Sequence, residues 1–512
     1  MYLGPDPANP VRIPFPTRIP LAYSCAFALL LCAAQLLEST PLYFSLLTFG
    51  FILASTLAFN LAGGFSRASG GYIFFYAVLA VLFGLIYKAI LGEPADSNLL
   101  APRTTMLAYL GSASALCVCA FFARRFVPQR PLLAGLSNRI AYGKAAIGCI
   151  VLSLVIDIWG AVTSINPLDR ETSNGSLYTA VRQMDKFLQL GIILGVTYVI
   201  RQSHGRRFLN LPLTLVLLYA MVYHGLIGFS KEGLFVPVFA ALLAAAAQRY
   251  RFSVVQVATF LLGLIVTVQY LVPLIQQGKG LEDTNIGSHF DIALTLASDL
   301  DATRRSANID GVDYDEIDDY MIHYYNQSHG LFDRLQMISI DDALIDATEQ
   351  GHVFGTYPIL FGFMNVIPHA LWKSKPSIGF GNIFAHEIQT AHFSHRGEND
   401  DTTGISFSPT ADAFHEARWY GVLLLAPALW FVLFFVMDWL SGDTRREPWG
   451  LVLIALCAHF APEGMLQGAI WLLTYGTFIL VVVAVSAAYV LPIVATLLVG
   501  PSRPTRVVTT SW

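Results

Sequence analysis

The chain has 512 residues, of which 55% are hydrophobic and only 13% are charged. Soluble domains carry about 25% charged residues, so this composition excludes a soluble globular protein. The formal net charge of −4 at pH 7 says little as an average, because the charged residues are distributed very unevenly along the chain. We therefore predict a membrane protein.

Apolar runs recur along the whole sequence and predict helices that cross a membrane. A span needs about 20 apolar residues, and a helix satisfies its own backbone hydrogen bonds inside the hydrocarbon. The six cysteines fall within such runs and indicate neither a disulfide framework nor a metal site. No removable signal peptide is expected, because the first apolar run follows a proline-rich start and is succeeded by many others. The predicted fold class is an all-α polytopic membrane protein with about twelve transmembrane helices, near residues 20–37, 41–63, 71–92, 104–123, 143–163, 183–200, 211–228, 233–248, 253–275, 419–437, 449–461 and 468–497.

Basic residues in the short loops predict the orientation, because such loops stay on the cytoplasmic side. With the N-terminus inside, every dense basic cluster falls inside, and the alternating outside loops are those with Glu38, with Glu93 and Asp96, with Asp169 and Glu171, and with Pro462 and Glu463. We therefore predict that both termini are cytoplasmic. The inside positions are Arg12, Arg18, Arg67, Arg124, Arg125, Arg130, Arg139, Lys144, Arg201, Arg206, Arg207, Arg249, Arg251, Arg445, Arg446, Arg503 and Arg506.

This topology divides the chain into three regions: a membrane domain of about nine spans (1–275), a long extracytoplasmic loop (276–418) and a membrane domain of about three spans (419–512). The loop is acidic from Glu282 to Glu349, which we interpret as a solvated face. Its run "DGVDYDEIDD" lacks the residue order of a calcium loop, so no metal is predicted and calcium is kept only as the alternative. The later stretch "PILFGFMNVIPHALW" is too short and too interrupted by proline to span, and is interpreted as an interfacial or re-entrant segment.

Polar residues inside or beside the spans gather at the predicted outer ends of the helices. Such residues are costly in a membrane and often mark function. Together they favour a polar chamber that opens outward, although Lys231 and Glu232 could form only a self-neutralising pair. The positions concerned are Asp157, His224, the turn "FSKEG" at 229–233, His459 and Glu463.

The sequence contains no Walker loop, no Gly-rich nucleotide turn after a strand and no His/Cys spacing typical of a metal site. We therefore expect no cofactor, no nucleic-acid partner and a substrate that is activated elsewhere. A lipid-linked sugar fits, because its polyprenyl diphosphate is already a good leaving group and Lys or Arg can neutralise the charge that develops on it.

Three stretches carry a resemblance to a known family: "GFSKEGLF" after an apolar helix, then "FGTYPILFGFMNVIPHALWKSKPSIGFGNIFA", then "FSPTADAFHEARWYGVLL" entering a late helix. In order and spacing they resemble signatures of the bacterial Wzy-type O-antigen and oligosaccharide repeat-unit polymerases. The sequence departs from the usual pattern at His369 and Lys231, where Arg is commoner. Both departures keep a cationic role possible but weaken the case for bidentate phosphate binding.

The resemblance implies a metal-independent, GT-C-like membrane glycosyltransferase on the periplasmic side of the bacterial inner membrane. It would move a growing glycan from undecaprenyl diphosphate onto the non-reducing end of a newly flipped lipid-linked repeat unit, making O-antigen or exopolysaccharide. Its partners would be lipid-linked oligosaccharides and membrane lipids, with a chain-length regulator left open.

The resemblance also implies a division of labour among residues. The base that deprotonates the acceptor hydroxyl would come from Asp412, His415 or Glu416, since Asp412 lies at i,i+3 and i,i+4 to the other two on a helix. A surface network that caps a helix is the alternative for this group. The residues that would hold diphosphates and glycan are Lys231, Lys373, Lys375 and Arg418, with Arg182, Arg396, His369 and Trp372.

Two other functions stay open. An O-antigen ligase would pass the glycan to lipid A, and the segment "IPHALWKSKP" favours a polymerase over it. A lipid-linked oligosaccharide transporter should show an internal repeat and charged residues near the bilayer midplane, and the sequence shows neither. For Lys373 and Lys375, the alternative is a simple anchor to anionic headgroups.

Overall fold

The computed structural model describes residues 11–163, 186–280, 286–301, 324–327, 332–367 and 405–499, together with residues 303, 371, 372, 374, 375, 381, 383, 384 and 388. Helices dominate this part of the chain. Its only strands, β1 (Val11–Arg12) and β2 (Arg251–Phe252), pair antiparallel. The fold is therefore all-α, as the composition predicts, and its apolar helices indicate a membrane-embedded protein.

The helices follow the apolar runs of the sequence. The first nine are α1 (Leu21–Leu37), α2 (Leu42–Ala62), α3 (Ala68–Leu91), α4 (Pro102–Phe126), α5 (Tyr142–Thr163), α6 (Lys186–Gln202), α7 (Leu211–Ile227), α8 (Lys231–Ala247) and α9 (Val254–Ile275). The others are α10 (Ile286–Ser298), α11 (Ile338–Glu349), α12 (Tyr357–Met364), α13 (Pro409–Ser441), α14 (Pro448–Glu463) and α15 (Met465–Leu497).

Seven of these helices are long and apolar enough to cross a membrane: α2, α3, α4, α5, α9, α13 and α15. Helices α1, α7 and α14 are apolar but shorter. Each of the twelve predicted positions holds a helix, with α6 and α8 at the remaining two. Within the described residues, however, only seven of the helices have both the length and the hydropathy of a span.

Segments that the basic residues place on one side of the membrane do lie together at one end of the helices. Strand β1 near the N-terminus pairs with β2, which precedes α9. The backbone N–H of Leu132 donates to the carbonyl of Trp439 at 2.7 Å, and Lys144 Nζ donates to Thr496 Oγ1 at 2.8 Å near the end of α15. We call this end the basic end; which side of the membrane it faces stays a prediction.

The interpretation of the acidic part of the loop as a solvated face is wrong for Asp341 and Asp342, which are buried in α11. Asp342 accepts the N–H of Ala101 at 3.2 Å and the hydroxyl of Thr105 at 2.7 Å, at the N-terminus of α4, where the helix dipole favours a carboxylate. The two carboxylates bond to elements far away in sequence and so fix α11 to the membrane helices. The run at 310–319 lies outside the described residues.

Helix α13 begins ten residues before its predicted start at 419. Ser408 caps it by accepting the N–H groups of Thr410 and Ala411, at 3.2 and 3.4 Å, and proline follows at the first helical position. The helical geometry breaks at Ala417 and Arg418, where Arg418 has φ 50° and ψ −135°, and then resumes. The predicted domain boundary at 418 therefore coincides with a break inside one long helix.

The break, which begins at Ala417, brings Gly421 so close to the preceding half of the helix that only glycine fits there. A Cβ on Gly421 would lie 1.7 Å from the carbonyl oxygen of Ala413, so any side chain there would collide with the preceding half of the helix. The stretch "WYGVLL" of the sequence thus has a structural reason for its glycine. The first half of α13, up to the break, carries all three residues predicted to supply a base.

Candidate functional site

A cavity of about 300 Å³ lies at the end of the helices opposite the basic end. It is bounded by the last turns of α12 and α14 and by the first turns of α15. Its polar wall contains His459, Glu463 and Gln467, and its aromatic wall contains Trp471 and Tyr475. A concave site that is mostly apolar with a few polar groups is the usual form of a small-molecule site.

His459 and Glu463, which both line this cavity, lie within hydrogen-bonding distance of each other. His459 Nδ1 lies 2.6 Å from Glu463 Oε1, as expected for side chains at i,i+4 on one face of α14. Both side chains are partly open, with 42% and 39% of their surfaces exposed. An ionised Glu463 accepts from Nδ1–H, so Nε2 is the nitrogen left to take up a proton.

A second charged pair lies near this cavity and joins two further helices to it. Lys186 at the start of α6 and Glu232 in the first turn of α8 are 4.0 Å apart, and both are close enough to His459 to act on it electrostatically. Glu232 therefore pairs with Lys186 rather than neutralising only its neighbour Lys231. The ends of α6, α8 and α14 opposite the basic end therefore come together near the cavity, but of the residues predicted to form one polar chamber only His459 and Glu463 line it.

The rim of the cavity is built from the segment that follows α12. Tyr475 Oη donates to the carbonyl of Val366 at 2.9 Å, and Lys375 Nζ donates to the carbonyl of Ile367 at 2.9 Å and to that of Asn365 at 3.3 Å. Lys375 thus lies at the edge of the cavity and helps to hold its rim. Trp372 Nε1 donates to Ser374 Oγ at 3.2 Å in the same segment.

The three residues predicted to supply a base are buried beside the cavity and do not line it. Asp412 Oδ2 accepts the N–H of Leu466 at 2.8 Å, at the start of α15, and His415 Nδ1 is 2.8 Å from Thr348 Oγ1. Among the described residues, Asp412 Oδ1, His415 Nε2 and both Glu416 carboxylate oxygens have no hydrogen-bond partner. Burial excludes the alternative of a solvated surface network, and the role of these residues as a base stays a prediction.

The other predicted binding residues have different positions. Lys231 opens α8, whose N-terminus is capped by Ser230 Oγ accepting from Gly233 N–H at 3.1 Å. Arg418 lies in the break of α13, and its Nη2 donates to the carbonyl of Thr348 at 3.2 Å. Arg182, His369, Lys373 and Arg396 lie outside the described residues.

Asp341 connects the buried group to α4. It accepts the N–H of Ser408 at 2.9 Å and a hydrogen bond from the hydroxyl of Tyr109. Burial raises the pKa of Asp341 to about 7, although hydrogen bonds from Ser408 and Tyr109 act in the opposite direction. Burial also raises the pKa of Asp342, to about 6. These carboxyls hold the helices that carry the site, and they are far less acidic than a solvated aspartate.

Sequence reasoning singled out His459 and Glu463 as polar but gave neither of them a role, and it missed Asp341 and Asp342. The first pair carried a usable signal, an i,i+4 spacing at the end of an apolar helix. The second pair stands in "ISIDDALIDATE", where an apolar residue precedes and follows the two aspartates and indicates a buried face. Lys88, buried under the ring of Tyr324 at 4.1 Å, was also missed.

No group of three or more His, Cys, Asp or Glu side chains in the described residues is arranged to hold a metal ion. Comparison of the chain with protein-family models, with curated proteins and with solved structures found no match. The candidate site is therefore argued from its own geometry.

Proposed function

We propose that the protein is a membrane glycosyltransferase that joins lipid-linked oligosaccharide repeat units, with its acceptor hydroxyl bound in the cavity beside His459. The observation that carries this proposal is the His459–Glu463 pair in a cavity with an aromatic wall and a lysine at its rim. The resemblance of the three sequence stretches to repeat-unit polymerases supports the same reaction. A GT-C-like architecture is part of the proposal.

The chemistry needs a base and a cation. In the proposed reaction His459, which lines the cavity, takes the proton of the acceptor hydroxyl on its Nε2 in place of the buried Asp412, His415 or Glu416. Glu463 stabilises the imidazolium that results, as an acidic partner does in other histidine-dependent sites. The hydroxyl oxygen forms a bond to the anomeric carbon of the donor glycan. The bond from that carbon to the diphosphate oxygen breaks, and the polyprenyl diphosphate leaves with the electron pair. Lys375, at the rim of the cavity, would offset the charge on that group.

The test is the glycan made by a strain that lacks the protein and is complemented with variants. His459→Gln should give glycan of one repeat unit on its acceptor, whereas wild type gives long chains. His204→Gln at the basic end is a matched control and should give long chains. Absence of any attached glycan in the His459→Gln strain would indicate a ligase instead. Long chains from His459→Gln at normal protein level would exclude the proposed role of the cavity.

A further inference from the structure

A second cavity, of about 450 Å³, lies at the basic end of the helices. Its charged wall consists of three arginines from separate elements: Arg18 precedes α1, Arg124 is in the last turn of α4, and Arg445 lies between α13 and α14. Its apolar wall includes Leu21 and Leu57, whose side chains remain 44% and 42% exposed. The cavity therefore combines concentrated positive charge with an open apolar side.

The backbone that carries these arginines is held in place. The Asn60 side chain bonds to both the N–H and the carbonyl of Ile19, at 2.7 Å each, and Phe65 N–H donates to the carbonyl of Pro16 at 3.0 Å. These bonds fix the segment around Arg18 onto the turn between α2 and α3. Thr444 N–H donates to the carbonyl of Ser66 at 3.1 Å, which fixes the neighbour of Arg445 on the same turn.

The positive charge of this cavity is only partly neutralised. Arg445 is paired with Asp443 by two hydrogen bonds, Nε to Oδ1 at 3.0 Å and Nη2 to Oδ2 at 2.8 Å. Arg124 donates from Nη1 to the carbonyl of Leu61 at 3.2 Å, a contact that orients the guanidinium without neutralising it. Three arginines beside one carboxylate leave an excess of positive charge that a bound anion would offset.

We propose that this cavity binds the phosphate of an anionic membrane lipid. Guanidinium groups match the geometry of phosphate oxygens, and basic pockets between membrane helices are typical sites for anionic headgroups. The exposed leucines offer a surface for the glycerol and the first methylenes of an acyl chain, which a free inorganic anion would not need. The positive-inside pattern assigns this end to the cytoplasmic leaflet, where a lipid phosphate would approach from the plane of the membrane. This inference does not depend on the proposed function.

The test compares two double variants of the whole protein in detergent. Arg18→Gln with Arg124→Gln removes two lining arginines, and Arg12→Gln with Arg125→Gln removes two exposed arginines of the same end that do not line the cavity. Binding is measured by native mass spectrometry and by the rise in the midpoint of heat-induced unfolding, with phosphatidylglycerol, phosphatidylethanolamine or inorganic phosphate added.

We expect phosphatidylglycerol to bind and stabilise wild type and the control variant. The cavity variant should bind it on the order of twentyfold more weakly, at about fivefold per arginine. Equal loss in both double variants, or in neither, would exclude the cavity as the site. If inorganic phosphate at equal concentration displaced the lipid, the proposal of a lipid ligand would be wrong and the cavity would be a simple anion site. If the double variant does not fold, Arg124→Gln against Arg125→Gln gives the same comparison on adjacent residues of one helix.

Discussion

In the proposed reaction Glu463 determines which nitrogen of His459 acts as the base, because an ionised carboxylate 2.6 Å from Nδ1 favours the tautomer with its proton there. Glu463→Gln keeps the size of the side chain but can present an amide N–H to Nδ1, which favours the wrong tautomer. We expect turnover of lipid-linked repeat units to fall by on the order of a hundredfold, with little change in KM.

The control for this prediction is Glu349→Gln. Glu349 is exposed, does not line the cavity, and accepts a hydrogen bond from Thr104 Oγ1 at 2.7 Å. Its turnover should match wild type. Equal activity of the Glu463→Gln and Glu349→Gln variants would remove Glu463 from the reaction.

Substitutions at Lys375 test whether the segment "IPHALWKSKP" acts in the reaction or only anchors the chain to the membrane. The Lys375 ammonium donates to two carbonyls of the rim, and in the proposed reaction it would face the leaving diphosphate. Loss of a charge that stabilises a leaving group in a water-poor site costs on the order of a hundredfold in rate, whereas loss of a surface anchor costs little. We expect Lys375→Ala to insert normally but make little or no polymer, and Lys375→Arg to recover part of it. Chains of wild-type length from Lys375→Ala, at matched protein level, would indicate an anchor.

Helix α11, outside the membrane spans, carries a carboxyl group that makes the stability of the folded protein depend on pH. In the folded protein, Asp341 keeps its proton up to about pH 7, whereas an unfolded aspartate loses it near 3.8. The folded state therefore holds one more proton between these values. Uptake of this proton stabilises the folded state fully below about pH 4, and the stabilisation is lost as the pH rises to about 7. Over this range the free energy of unfolding falls by up to about 1.4 kcal/mol per pH unit.

This linkage predicts the behaviour of Asp341→Asn, which cannot ionise. The midpoint of heat-induced unfolding in detergent, measured between pH 5 and pH 8, should fall less steeply with rising pH for this variant than for wild type. Glu349→Gln, at the exposed end of the same helix, should follow the wild-type profile. Parallel profiles for wild type and Asp341→Asn would show that the carboxyl does not titrate in this range.

The positions of the membrane helices could be predicted because long apolar runs have few other structures open to them in a bilayer. The start of α13 could not be predicted from hydropathy, since Asp412, His415 and Glu416 make its first turns polar. The pair Ser408 and Pro409 did signal a helix start there. The placement of α11 needed the tertiary contacts of Asp341 and Asp342, which join residues more than two hundred positions apart.

For the whole molecule, the predicted orientation can be tested by labelling. The six native cysteines all lie in apolar helices and are buried or only partly exposed, so they should give little background. A cysteine in place of Gln350, which is exposed at the end opposite the basic end, should react with an impermeant reagent added to intact spheroplasts. A cysteine in place of Arg130 at the basic end should react only after lysis. The reverse pattern would invert the topology and place the cavity of His459 in the cytoplasm.

The break in α13 has a consequence for how the chain enters the membrane during synthesis. This helix has 33 residues, and an unbroken helix of that length would reach about 50 Å, well beyond the roughly 30 Å of hydrocarbon. The residues from Trp419 onward are sufficient to cross by themselves. With the predicted orientation, the translocation machinery would release the apolar half into lipid after the half with Asp412, His415 and Glu416 has passed through the water-filled channel. Three ionisable groups can reach their buried positions without ever crossing the lipid, because the turn at Arg418 separates the part that is inserted from the part that folds afterwards.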